Sequence, residues 1–153
     1  MANEIIEAYK EVITRLNAAT GVGGDLENVT IEEGLDDSQI GQDDCPHIMA
    51  YLPGGGIGGE EDFALNNRNV VTLNVLLRLR DQSVHKYHNA TNDRGTLWLF
   101  EQVQKVVIGT DLTASNKWLL PPSISIIAHE TGKEVYRLDL LVQIKTTIYQ
   151  RGI

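Results

Sequence analysis

Three places in the chain have residue types and spacing that invite a chemical reading. His85 and His88 stand three apart in the polar stretch 81–92. Such a pair ligates a metal when its backbone is helical and a third ligand joins it. The stretch carries no clear helical stripe, and solvated loop histidines are the simpler account. His129 and Glu130 are adjacent at the end of an apolar-polar run. General acid–base work there would need a cleft and an orienting third group, and the sequence shows neither. Pro53 to Gly59 reads PGGGIGG. A phosphate loop needs a Lys followed by Ser or Thr, whereas Glu60, Glu61 and Asp62 follow here and would repel a phosphate. The dinucleotide fingerprint opening a helix is missing too. The expectation is a mobile glycine loop, no enzyme, no metal and no cofactor.

Charge is the stronger signal. The 153 residues carry a formal net charge of -8, unevenly spread. No Lys or Arg lies between Leu16 and Asn67, a stretch that holds Asp36, Asp37, Asp43 and Asp44 among its acids. From Arg68 onward eleven Lys or Arg stand against seven Asp or Glu. An acidic front and a mildly basic back can pair within one molecule or between neighbours, and a solvated acidic loop system is the plainer alternative. The overall acidity argues against tight nucleic-acid binding, which needs clustered cations. With one cysteine, Cys45, no intrachain disulfide is possible, and a reducing compartment is expected. No apolar run reaches the ~20 residues of a membrane span, so no membrane partner is expected.

The elements that would position these groups are legible from periodicity. The last strand is expected over Glu134–Tyr149, with Tyr136, Leu138, Leu140, Val142, Ile144 and Ile148 on one face. Its other face is mostly polar: Arg137, Asp139, Gln143, Lys145 and Thr147, with Leu141 as the exception. Val70–Arg80 repeats the pattern, with Val71, Leu73, Val75, Leu77 and Leu79 on one side and Arg78 and Arg80 on the other. Helices are expected over Asn3–Ala19 and Asp93–Ile108. Asn3 caps the first, and Asn92 or Asp93 the second. Ile5, Ile6, Tyr9, Val12, Ile13 and Leu16 make the stripe of the first, and Leu99, Phe100, Val103, Val106 and Val107 that of the second. Trp98 is expected to point away from the second stripe. Short strands are expected near Asn28–Glu32 and His47–Leu52, and Ser123–Glu130 forms a hairpin with the last strand through Thr131, Gly132 and Lys133. The whole of 1–153 reads as one α+β domain, with a mainly antiparallel sheet, two amphipathic helices packed on one face, and an acidic, glycine-rich loop region at about 21–67. The sheet's second face is expected to be either wet or a contact surface.

The element order, with the strand VVTLNVLLRLR and the ending LDLLVQIKTTIYQRG, resembles the tail terminator (tail completion) proteins of long-tailed bacteriophages. The resemblance covers most of the chain as order and size of elements and includes no diagnostic motif. It implies a virion protein, assembled in the host cytoplasm, that forms a ring, usually a hexamer, at the head-proximal end of the tail tube. Such a ring stops tube polymerisation, offers a surface to the head connector and lets DNA pass only through its pore. Closure of a heterologous interface does this work, with no catalytic residues. On that reading Arg78, Arg80, Arg137, Asp139, Lys145 and Tyr149 are candidates for the subunit or partner interface. Asp36, Asp37, Asp43 and Asp44 are candidates for a pore or partner loop. Another head–tail connector, neck or minor capsid protein is the alternative. A small ligand-binding domain and a host-encoded interaction domain are more distant ones.

Overall fold

The computed structural model describes residues 4–34, 46–52, 57–65, 68–81, 95–108, 122–131 and 135–149. The helices are α1 (Glu4–Ala18) and α2 (Thr96–Ile108). The strands are β1 (Thr30–Glu33), β2 (His47–Tyr51), β3 (Ile57–Leu65), β4 (Arg68–Asp81), β5 (Ser123–Thr131) and β6 (Tyr136–Tyr149). The sheet runs β1-β2-β4-β6-β5, with β3 also paired to β4. All its pairs are antiparallel except β1 with β2. The fold is α+β.

β4 and β6 are the spine. Fourteen residues of each pair from Arg68 with Tyr149 to Asp81 with Tyr136, without a shift in register. The alternation explains the constancy: slipping by one residue would turn Leu73, Val75, Leu77 and Leu79 out of the core and their charged neighbours into it. Those four and Leu138, Leu140, Val142 and Ile144 are almost completely buried. Both helices pack on this face, α1 through Ala8, Val12 and Leu16 and α2 through Leu99, Val103 and Val107. Burial of apolar area, at ~25 cal/mol per Å2, is the main stabilising term.

The helices join through Arg15, whose Nη1 donates to the Val107 carbonyl at 2.9 Å while its Nε donates to Glu11 at 3.1 Å. A cation thus meets a carbonyl in the last turn of α2, where the helix dipole favours it. α1 ends in a tight reversal. A Cβ on Gly24 would lie 2.1 Å from the Ala19 carbonyl oxygen, so only glycine fits.

Several expectations need correction. Ile6 is 47% exposed, and the buried position beside it is Ala8. α2 begins at Thr96, after Gly95 at a φ of 149°; Asn3, Asn92 and Asp93 lie outside the described residues. Trp98 is half-buried against the core instead of turned from it. The largest miss is β3. The glycine stretch read as a mobile loop enters a strand at Ile57, so Gly58 and Gly59 belong to the sheet. IGGEEDFAL has no apolar alternation and poor strand propensity; pairing with β4 decides its state. Its register on β4 shifts between Ile57 and Glu60, where Gly58 and Gly59 accommodate the irregularity, and again between Glu60 and Ala64.

Candidate functional site

The second face of the spine holds the chain's concentration of charge in the described residues. Cross-strand pairing puts Arg78 opposite Asp139 and Arg80 opposite Arg137. On the flanks, His47 of β2 faces Arg80, and Glu130 of β5 faces Arg137. A row of His47, Arg80, Arg137 and Glu130 therefore crosses four strands. Arg80 and Arg137 directly opposed would repel. Asp139 relieves this: its Oδ1 lies 3.3 Å from Arg137 Nε and 3.4 Å from Arg78 Nε. Glu130 adds a 2.8 Å contact to Arg137 Nη2. Arg78 also stands over the Tyr51 ring, 5.3 Å from its centroid, a cation–π distance.

Here the face is not wet. Asp139 is 3% exposed and Arg80 6%, and Met49, Leu76 and His47 are buried beside them. Burial pushes the Asp139 carboxyl above its ordinary range, while Arg137, Arg78 and Arg80 pull it down and Glu130 pushes it up. Desolvation is the largest of these influences, and Asp139 Oδ1 and the two Nε atoms make no aligned hydrogen bond. The fully buried His47 ring has a carboxylate, Glu32 Oε1, 3.4 Å from Nε2.

Of the residues singled out from sequence, the structure brings Arg78, Arg80, Arg137 and Asp139 into one cluster. Lys145 lies further along the same face of β6, opposite Thr72. Tyr149 pairs with Arg68 at the far end of the spine. Asp36, Asp37, Asp43 and Asp44 lie outside the described residues, as do His85, His88 and Cys45. His129 is exposed on the outer strand β5. Sequence reading missed His47 and Tyr51. The signal was there in the alternation of HIMAY, which puts both on the side of Arg78 once β2 pairs with β4. Among the described residues no group of His, Cys, Asp or Glu could hold a metal ion. No described helix is long and apolar enough to cross a membrane. Chemically the cluster neutralises its own carboxylates, Asp139 and Glu130.

No family model and no curated protein matches the chain. Among solved structures, the chain is similar to one from the "Virion of native gene transfer agent (GTA) particle". The TM-score is 0.48 at 11% sequence identity, over 92% of this chain and 94% of that one.

Proposed function

We propose that the chain is a structural protein of a phage-type virion, acting as the tail terminator: a ring, a hexamer by resemblance, seated on the head-proximal end of the tail tube. Its partners are its own copies, the tail-tube protein and the head connector, and DNA only passes through. It catalyses no reaction and holds no cofactor. One observation carries the reading: a fourteen-residue two-strand spine is backed by helices on one face, and among the described residues the sheet ends in strands with a partner on one side only. Such a layer is suited to extension by neighbours more than to enclosing a substrate. The charged cluster supports this, since Arg78 and Arg137 are engaged with the chain's own carboxylates. Another neck or connector protein would share these features and differ in partner.

The test is the mass of the purified protein by native mass spectrometry, with electron microscopy of mixtures with tail tubes. Defined rings at one tube end are expected. Binding to portal rings in place of tubes would favour the neck-protein alternative, and a monomer that binds neither would overturn the proposal.

A further inference from the structure

The outermost strands of the sheet differ in a way that makes them fit each other. We infer that β5 of one copy pairs with β1 of the next, antiparallel, with Ile126 opposite Ile31; this rests on the ring reading and names its interface. Direction comes first. β5 runs antiparallel to β6, β6 to β4 and β4 to β2, while β1 is parallel to β2. The two outer strands therefore run in opposite directions. A second copy set alongside in the same orientation presents its β1 antiparallel to β5 and continues the pattern of the sheet.

Side-chain placement comes next. Ile126 pairs with Leu140, and Ile31 with Ile48, so both isoleucines lie on the helix-bearing side. Ile126 and Ile127 are 48% and 50% exposed, whereas Ile124 of the same strand packs against the core. With Ile126 opposite Ile31, Ser125 falls opposite the exposed Glu32 on the second face and can donate a hydroxyl to its carboxylate.

Charge selects the partner edge. β1 against β1 would bring Glu32 and Glu33 of two copies together, a repulsive arrangement. β5 has no Lys, Arg or Pro from Ser123 to Thr131 to guard it, and its bulge between Ile126 and Ala128 leaves Ser123–Ile126 as the regular stretch that a neighbour can pair with. Head-to-tail pairing of β5 with β1 is heterologous, the interface type that makes a ring when the rotation between copies closes, and a closed ring leaves neither edge exposed.

The test uses the full chain with Cys45→Ser as background. Ser125→Cys and Glu32→Cys are introduced singly and together. On mild oxidation, the double variant is expected to give a covalent ladder beyond dimer, and the single variants none. Ser125→Glu is expected to raise the concentration at which the oligomer dissociates by roughly two- to fivefold, and Ser125→Lys to lower it by a similar factor. Both effects shrink at high salt. Covalent dimers from Ser125→Cys alone would mean symmetric β5 pairing and overturn the inference. Intact rings with no ladder and no charge effect would overturn it while leaving the ring reading in place. A monomer at every concentration would overturn both.

Discussion

The two faces of the β4–β6 spine are made from the same fourteen cross-strand pairs, yet they are held together by different physics. On one face Leu77 meets Leu140 and Leu79 meets Leu138, and two helices close over them. On the other, Arg78 meets Asp139 and Arg80 meets Arg137. Both faces are dry at this end of the sheet. The apolar face gains from dryness, since each buried methylene is removed from water. The charged face loses by it, since each ion gives up hydration that an imperfectly aligned partner only partly restores. Burial alone therefore does not identify where the stability lies.

The largest expected effect follows from the apolar face. Leu140 is fully buried, opposite Leu77 and next to β5. Leu140→Ala should cost about 2–5 kcal/mol through lost transfer energy and the cavity left behind. The denaturant midpoint measures this. A loss of a few tenths would mean that the helix layer collapses freely onto the gap, and the contrast between the faces would weaken.

Asp139→Asn is the decisive test of the other face, with an expected change of about 1 kcal/mol or less near neutral pH. The sign of the pH dependence carries the argument. The native carboxyl is raised above its unfolded value. Its contribution is therefore fully present below the unfolded value and lost as pH rises through the native one. From acid towards neutrality, the wild type should lose stability relative to Asp139→Asn, which cannot titrate there. Urea unfolding of both proteins from pH 3 to pH 7 reads this directly. If the wild type instead gains on the variant as pH rises, the three arginines outweigh desolvation and the charged face is a source of stability.

The apolar face was legible in the sequence because alternation states it twice, in VVTLNVLLRLR and in EVYRLDLLVQIK. Strand limits for the spine follow only within a residue or two: β4 runs Arg68–Asp81 against an expected Val70–Arg80, and β6 starts at Tyr136 against Glu134. The charged residues were legible as a set, but not their convergence. Nothing local says that Arg78 will find Asp139 sixty-one positions away; register between distant strands decides it. Nor does local sequence show that this face is buried, because charges between apolar neighbours ordinarily signal solvent. β3 fails for a related reason. Gly58, Gly59, Glu60 and Glu61 argue against a strand by every local preference, and only the open side of β4 recruits them. The outer strands fall between these cases. SISIIAHE reads as a strand, but its place at the end of the sheet depends on pairing order.

The smallest expected effect separates distance from burial. Arg137 touches two carboxylates, Glu130 at 2.8 Å and Asp139 at 3.3 Å. The shorter contact should matter less for stability at high salt. The Glu130 side chain is 62% exposed, so its charge is screened by water and salt and its long chain must be ordered to make the bridge. Glu130→Gln should cost about 0.2–1 kcal/mol in dilute buffer and close to nothing at ~1 M salt, where the screening length falls to roughly 3 Å. Asp139 is 5% exposed at its side chain, and the effect of its substitution should change little with salt. Equal salt sensitivity at the two positions would show that ions reach Asp139 as easily as Glu130, which would make the second face open in solution and would end the distinction between a dry charged layer and an exposed one.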